Sequence, residues 1–343
     1  MKIDIITKDG SPLGVSMKSL YGEDGRLGIG GAENALLTMC EAWHDKGYDV
    51  TLYNNPEEPN ASPFKQREIN EFDGQEDRDI LIVFRSPNDL AEGAKGKIIW
   101  WSCDPHTVGD FALFAAVPDA VVAISEHHAS YLLRHYGIAD AKVIDIPVRM
   151  MDYQEKVRKV PYQCIFNSVP DRGLLQLQSV WGRIVAEVPE AALLITSDWR
   201  LWDKRVNVRV LEPYKRAFLD MPGVEYLGAI PRRDMVKIQQ ESELHLYPCV
   251  FEEMFCIAVS ENQVAGAYPI TSTTGALITT NMGTLIHGDV KSTEWKNEFV
   301  NKAVYYLQNR DELKALRDEN MKKAKERFSI KRALVEWEKV FNE

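Results

Sequence analysis

The feature that most constrains the fold is an alternation of short apolar segments with amphipathic helical segments, which runs through the chain twice. The apolar segments are rich in β-branched residues and are bounded by polar residues, glycine or proline, as buried strands are. Strand patterns lie at residues 2–7, 48–53, 79–84, 97–101, 120–124 and 142–146, and then at 162–166, 191–196, 224–227, 244–247 and 268–271. Helical patterns lie between them at 32–46, 125–134, 172–188 and 232–241. This alternation predicts an α/β fold with parallel, doubly wound sheets.

A polar, charged stretch at residues 150–160 separates the two series of strands. A chain of 343 residues is also long for a single core. We therefore predict two Rossmann-like domains, at residues 1–150 and 160–320. Ligands of such sheets bind at the carboxyl ends of the strands, so the sequence predicts a site in a cleft between the two domains.

Composition narrows the function classes. The formal net charge is −10, with 45% hydrophobic and 27% charged residues. Such a chain is an ordinary globular protein. Its acidic balance disfavours a protein that binds nucleic-acid backbones without regard to sequence, because that activity needs a basic surface.

The cysteines and the N-terminus predict a cytoplasmic location. The five cysteines are scattered and include no C-x-x-C pair, so neither a disulfide framework nor a zinc site is indicated. The N-terminus reads as a strand and lacks the pattern of a signal peptide. Because no apolar run approaches about 18 residues, we expect no transmembrane segment.

The stretch from residue 247 to 275 carries two carboxylates, Glu253 and Glu261, eight positions apart. We expect Glu253 in the loop after a strand and Glu261 inside the following helix. The pair can hold two ends of one polar ligand at a helix N-terminus, where the helix dipole also favours an anion. Stabilisation of the dipole alone is the simpler interpretation. Glu261, however, lies among residues that look buried, and ribose hydroxyls would be suitable donors to a buried carboxylate.

Three further positions suggest ligand contacts. A glycine-rich loop ends at Gly30 and Gly31, where a helix begins, and glycines there let backbone N–H groups approach a phosphate or a sugar. Arg172 follows the first strand of the second half, where it can clamp a diphosphate. An equally favoured interpretation is that Asp171 caps the helix and that Arg172 is exposed to solvent. His106 lies just past a strand end, and a surface loop histidine is as good an interpretation. No residue pattern predicts a metal site.

An ordered set of motifs resembles the retaining GT-B glycosyltransferases of the family 4 type. The spacing Glu253-x7-Glu261 is similar to their E-x7-E signature, and the glycine loop at Gly30 and Gly31 is similar to theirs. The segments at residues 122–126 and 223–228 also match elements of that group, and the likeness runs over most of the chain in the right order. The resemblance implies a GT-B fold, with two Rossmann-like domains facing each other across a cleft and a C-terminal helix, residues 321–343, that crosses back to the N-terminal domain.

The resemblance also implies roles for individual residues. Glu261 would bind the nucleotide ribose, and Glu253 would contact hydroxyls of the donor sugar. Arg172 would hold the diphosphate. The backbone at Phe255 and Cys256 would lie near the sugar and the phosphates.

From the other domain, Gly30 and Gly31 would approach the donor sugar.

The sequence departs from the family in three places. Met254 and Cys256 stand where glycines are usual. The lysine that often follows the arginine is missing, although Lys204 or Arg205 can substitute. A serine, Ser102, follows the strand at 97–101, where many relatives have histidine.

The resulting expectation is a retaining transferase that moves a sugar from a nucleoside diphosphate sugar, UDP- or GDP-linked, to an acceptor hydroxyl without a required cofactor or metal. The alternatives are a nucleotide-sugar epimerase or a phosphorylase on the same fold, or a non-catalytic nucleotide-sugar binding protein. The acceptor stays open among a glycan, a lipid-linked molecule, a protein and a modified nucleic acid.

Overall fold

The chain folds as two compact units. The computed structural model describes residues 1–8, 10, 12–201 and 208–343. Unit 1 comprises Met1–Pro147 and Ile330–Glu343, and unit 2 comprises Val148–Ser329. The division therefore falls just before the predicted stretch at 150–160. The segment that returns to unit 1 is also shorter than the predicted 321–343, because residues up to Arg327 continue a helix of unit 2.

All strand pairing in the described residues is parallel. The strands of unit 1 are β1 (Lys2–Ile6), β2 (Asp49–Tyr53), β3 (Lys65–Arg67), β4 (Ile80–Phe84), β5 (Lys97–Trp101), β6 (Ala120–Ala123) and β7 (Lys142–Val143). Those of unit 2 are β8 (Gln163–Phe166), β9 (Ala192–Ile195), β10 (Val224–Tyr226), β11 (Leu244–Tyr247), β12 (Tyr268–Ser272) and β13 (Thr284–Ile286). The order is β3-β2-β1-β4-β5-β6-β7 in unit 1 and β10-β9-β8-β11-β12-β13 in unit 2.

Helices connect the strands in both units. They are α1 (Met17–Tyr21), α2 (Gly31–Asp45), α3 (Phe111–Phe114), α4 (Glu126–Tyr136), α5 (Leu174–Glu187), α6 (Glu212–Phe218), α7 (Arg232–Glu241), α8 (Ile257–Ala265), α9 (Leu277–Thr280), α10 (Thr293–Gln308), α11 (Arg310–Arg327) and α12 (Ile330–Asn342). Within the described ranges, each helix is either too short or too polar to cross a membrane.

The C-terminal helix α12 belongs to unit 1 because its aromatic residues pack there. The Trp337 ring lies 5.3 Å from that of Trp43 and 5.1 Å from that of Trp101, measured between centroids, and both contacts are edge-to-face. All three rings are almost fully buried. Such aromatic pairs add to the free energy gained by burial alone. The helix is therefore an integral part of the core of unit 1.

Helices α1 and α6 and strand β3 are among the short elements that were not predicted from the sequence. Helix α1 is five residues long and lies inside the glycine-rich loop, and strand β3 is the polar tripeptide Lys65–Arg67. Helix α6 has only seven residues. All three are too short for a hydrophobic period to be recognised. The predicted helix at 172–188 begins later, at Leu174, because Arg172 ends a short 3-10 turn, Pro170–Arg172.

Candidate active site

The winding of the unit 2 sheet reverses between β8 and β11. From β8 the chain runs outwards through β9 and β10, then returns to the other side of β8 for β11, β12 and β13. The loops that follow β8 and β11 therefore leave the sheet in opposite directions. In doubly wound sheets, this reversal point is where ligands bind, at the carboxyl ends of the strands. Arg172 lies in the loop after β8 and Glu253 in the loop after β11.

Two glycines allow the loops at this point to touch through their backbones. Gly173 has a φ of +107°, and a Cβ atom there would lie 2.1 Å from the carbonyl oxygen of Pro248. Gly275, after β12, has a φ of +61°, and its Cβ would lie 2.4 Å from the carbonyl oxygen of Glu253. That same oxygen accepts a 2.7 Å hydrogen bond from the N–H of Ala276. The backbone of Glu253 is thus fixed by direct contact with a neighbouring loop.

Arg172 and Glu253 form a close charged pair. The Nε atom of Arg172 lies 3.5 Å from Oε1 of Glu253, and the two side chains are only 12% and 14% exposed. The guanidinium carbon lies 3.2 Å from the centroid of the Phe251 ring, so the group stacks on an aromatic face. Its Nη1 also lies 3.2 Å from a carboxylate oxygen of Asp171. Arg172 is therefore held by side chains from both loops.

The carboxylate of Glu253 has two further partners. The Tyr247 hydroxyl donates a 2.6 Å hydrogen bond to Oε1, and the Cys249 thiol lies 3.9 Å from the same oxygen. Burial raises the pKa of Glu253 above its ordinary value, an effect that the charge of Arg172 and the Tyr247 hydrogen bond partly offset. Sequence reasoning missed Tyr247. The available signal was its place as the last residue of β11, at the carboxyl edge of the sheet.

Glu261 belongs to a second charged group. It lies in α8, where Nη2 of Arg232 donates a 2.9 Å hydrogen bond to Oε1 and the Gln239 amide a 3.4 Å one to Oε2. Nε of Arg232 also donates a 2.6 Å hydrogen bond to Asp152. The side chains of Glu261, Arg232 and Asp152 are each at most 10% exposed. Glu261 does have the partner that a buried carboxylate needs, but the partner seen here is an arginine that the sequence did not single out.

Phe255 and Cys256 lie at the start of α8. Both side chains are buried, and the Phe255 ring packs edge-to-face on that of Phe328 with centroids 5.8 Å apart. Cys256 precedes the first residue of α8 and has a left-handed backbone with φ of +74°. Left-handed backbone is uncommon for a residue with a side chain and costs about 1–2 kcal/mol. The glycine that the family resemblance led us to expect here would adopt this conformation without strain.

The remaining predicted residues lie in unit 1 or outside the described ranges. Gly30 is the residue before α2, and Gly31 is the first residue of that helix. His106 lies on an exposed loop after β5. The structure therefore joins Arg172 with Glu253 in unit 2 and places these three in unit 1. Lys204 and Arg205, the predicted substitutes for a second phosphate ligand, lie outside the described residues.

Unit 1 has its own charged group at the equivalent reversal of its sheet, between β1 and β4. Arg85 follows β4 with a left-handed φ of +69°. Its Nε bonds to Asp104, which lies after β5, and its Nη1 lies 3.6 Å from the buried carboxylate of Glu33 in α2. The sequence did not single out these three residues. Among the described residues, no group of three or more His, Cys, Asp or Glu side chains is arranged to hold a metal.

Solved structures with a similar fold include three glycosyltransferases. A sucrose-phosphate synthase from Thermosynechococcus elongatus shares 13% identity, with 99% of this chain and 98% of that chain covered and a TM-score of 0.71. Anabaena HepE, solved with UDP and glucose, shares 14% identity at the same coverages with a TM-score of 0.70. AviGT4, involved in avilamycin A biosynthesis, shares 15% identity, again with 99% and 98% covered, and a TM-score of 0.68. At these identities the comparison establishes a shared fold, the α/β GT-B fold that the sequence predicted.

No protein-family model and no curated protein matches this chain.

Proposed function

We propose that this protein is a glycosyltransferase that moves a sugar from a nucleoside diphosphate sugar to an acceptor hydroxyl. The observation that carries the proposal is the pairing of Arg172 and Glu253 at the reversal point of the unit 2 sheet. A guanidinium suits a diphosphate, and a carboxylate beside it suits the hydroxyls of the attached sugar. The shared fold with glycosyltransferases supports the same conclusion.

A uridine nucleotide is the first donor to test. Three of the structures with this fold are complexes of HepE, with UDP and glucose, with UDP, and with UDP-glucose. In unit 2, helices α5 and α8 begin in the loops that carry Arg172 and Glu253. Their N-termini add positive potential for the phosphates. In this proposal Glu261 holds the ribose, and the backbone at Phe255 and Cys256 lies near the sugar and the phosphates.

The reaction we propose retains the configuration of the anomeric carbon. The bond between that carbon and the diphosphate oxygen breaks, and the acceptor oxygen forms a bond on the same face of the sugar. The acceptor proton passes to the departing diphosphate. Arg172 stabilises the negative charge that develops on the leaving group, and Glu253 holds the sugar in place. Neither role requires a metal.

Unit 1 is proposed to bind the acceptor. Gly30 and Gly31, at the start of α2, would approach the donor sugar, and the exposed His106 would hydrogen-bond the acceptor hydroxyl. The acceptor is a glycan, a lipid-linked molecule, a protein or a modified nucleic acid. We also propose a cytoplasmic location because the cysteines of the chain are buried free thiols in the structure. Cell fractionation tests that part.

The decisive experiment is a thermal-shift panel of UDP-, GDP-, ADP- and dTDP-sugars with the matching nucleoside diphosphates. A ligand that binds only the folded protein raises its melting temperature, so the donor is expected to stabilise the protein. No stabilisation by any sugar nucleotide would contradict the proposal. Free nucleoside diphosphate released only when an acceptor is added would identify a transferase. An epimerase would release none, and a binding protein would give stabilisation without turnover.

A further inference from the structure

The two side-chain hydrogen bonds to the Glu253 carboxylate reach the same oxygen. Within the described residues, both the Tyr247 hydroxyl and the Cys249 thiol bond to Oε1, at 2.6 Å and 3.9 Å. The closest approach of Arg172 is also to Oε1, at 3.5 Å. The carboxylate is therefore held from one side, which leaves Oε2 as the oxygen that can accept a hydrogen bond from a ligand.

Tyr247 is well suited to hold a carboxylate in one orientation. Its side chain is fully buried at the end of β11, and its ring packs against those of His245 and Phe166 with centroid distances of 5.3 Å and 5.8 Å. Its hydroxyl also lies 3.2 Å from that of Ser168, in the loop after β8. Burial raises the pKa of Tyr247 well above its ordinary value, so the phenol keeps its proton and acts as a donor. A ring packed on both neighbours has little freedom to move.

Without this hydrogen bond, Glu253 and Arg172 would compete with their ligands for each other. A guanidinium and a carboxylate at 3.5 Å can close to a two-bond pair with little movement. Such a pair would occupy the hydrogen-bonding atoms that a diphosphate and a sugar need. The short bond from Tyr247 holds Oε1 beside the ring hydroxyl and opposes that closure.

We propose that Tyr247 is a positioning residue, whose hydroxyl holds Oε1 of Glu253 so that Oε2 accepts a hydrogen bond from a hydroxyl of the donor sugar. The inference rests on the proposed function, because it assigns a sugar to this carboxylate. It adds a residue that the motif resemblance did not include.

The test compares Tyr247→Phe with Tyr268→Phe. Tyr268, in the neighbouring strand β12, is also buried, and its hydroxyl bonds to Thr284. Both substitutions therefore remove a tyrosine hydroxyl from the same sheet. The hydroxyl of Tyr247 bonds to Glu253, and that of Tyr268 does not. The probes are UDP-glucose and UDP, or the sugar nucleotide and nucleotide that the thermal-shift panel selects. Dissociation constants of the wild type and both variants are measured from pH 4.5 to 8. The same measurement is made with a set of donor analogues, each of which lacks one sugar hydroxyl.

Tyr247→Phe is expected to weaken binding of the sugar nucleotide about tenfold while leaving binding of the nucleotide within about twofold. Because the lost hydrogen bond favours ionised Glu253, the pKa of Glu253 rises in the variant. The acid-side loss of affinity therefore moves to higher pH. The preference for the complete donor over one deoxy analogue shrinks, since the orientation of Oε2 is lost. Tyr268→Phe leaves all three measurements unchanged.

Equal loss of nucleotide and sugar-nucleotide binding in Tyr247→Phe would indicate a structural role and overturn the inference. So would an unchanged pH profile. If Tyr247→Phe does not fold, Ser168→Ala removes the other hydrogen bond to the same hydroxyl. It is expected to shift the pH profile in the same direction by a smaller amount, and no shift would overturn the inference. If the wild-type protein binds no sugar nucleotide, the proposed function is overturned as well. If the wild-type protein binds a sugar nucleotide and the variants give one of these contrary results, only the inference about Tyr247 fails.

Discussion

The two sheets reverse their winding in the same way, yet the arginines at the two reversal points have different surroundings. In unit 2, Arg172 stacks on Phe251, and the carboxylate that it approaches, Glu253, is bound by a tyrosine hydroxyl. In unit 1, Arg85 lies between two carboxylates, those of Glu33 and Asp104. The common topology fixes where these side chains lie, and the loops decide what they can bind.

The difference indicates opposite preferences for charge. Each guanidinium has two carboxylate neighbours, but the Asp171 side chain beside Arg172 is 46% exposed, so water screens its charge, whereas the Glu33 side chain beside Arg85 is only 3% exposed. The less screened negative charge of the unit 1 site repels phosphates but accepts hydroxyl donors. The guanidinium of unit 2 is held on an aromatic face near two helix N-termini, which favours an anion. In terms of the proposed function, unit 2 suits the nucleoside diphosphate and unit 1 suits a neutral, hydroxyl-bearing acceptor group.

The largest expected effect comes from Gly173→Ala. The new Cβ would meet the Pro248 carbonyl at 2.1 Å in a left-handed backbone, so the loops after β8 and β11 must separate. We expect a loss of roughly 3–5 kcal/mol in the free energy of unfolding, with loss of nucleotide binding. Urea denaturation and thermal shift measure both.

Gly182→Ala is the matched control. Gly182 lies inside α5, and a Cβ there meets nothing within 4 Å. Because alanine is the better helix former, this variant is expected to gain about 0.5–1 kcal/mol and to bind normally. A Gly173→Ala protein as stable as the Gly182→Ala protein would show that the two loops are not held together by this contact.

A second prediction compares the two arginines. Arg172→Ala is expected to lower kcat/KM for the sugar nucleotide about 100-fold, because it removes the cation that, in the proposed function, stabilises the leaving diphosphate. Arg85→Ala is expected to leave the nucleotide thermal shift unchanged and to raise KM for the acceptor about tenfold. Equal effects of the two substitutions on donor binding would contradict the assignment of donor and acceptor to separate units.

The sequence predicted two of the strands and one of the helices to the residue. Lys97–Trp101, Arg232–Glu241 and Leu244–Tyr247 begin and end where the patterns indicated. These segments are bounded by strong signals such as Pro248, and the two strands are short runs of almost entirely buried residues. Backbone placement of Glu253 in a loop and Glu261 in a helix followed from the same pattern.

The partners of those carboxylates could not be predicted in the same way. Arg232 reaches Glu261 from α7, and Asp152, in a turn far away in sequence, accepts a hydrogen bond from Arg232. No local period reports such contacts. The left-handed backbone of Cys256 and Arg85 runs against what their residue types favour. Arg85 shows the same limit, because the sequence pattern of an arginine after a strand is that of a surface residue. Only the fold brings Glu33 and Asp104 beside it.

The smallest expected effect concerns two buried histidines, one in each unit. In unit 1, the Nδ1 atom of His128 accepts a 3.4 Å hydrogen bond from the N–H of Ile124, and its Nε2 lies 3.2 Å from the carbonyl oxygen of Asp104. In unit 2, neither ring nitrogen of His245 has a hydrogen-bond partner among the described residues. Burial lowers the pKa of His128 to about 4 and that of His245 to about 3.

His245→Leu therefore tests whether an unbonded histidine weakens unit 2. The unfolded chain takes up a proton on this ring below about pH 6.5 while the folded chain does not until about pH 3, so stability falls as the pH drops through that window. The variant is expected to gain about 1 kcal/mol at pH 7 and to lose less stability than the wild type by about 1.4 kcal/mol for each pH unit below 6.5. Denaturant unfolding at pH 7, 6 and 5 measures it, with the exposed His287→Leu as the control. Parallel pH profiles for wild type and His245→Leu would mean that water or a local opening of β11 already satisfies the ring, and unit 2 would then tolerate this histidine as well as unit 1 tolerates His128.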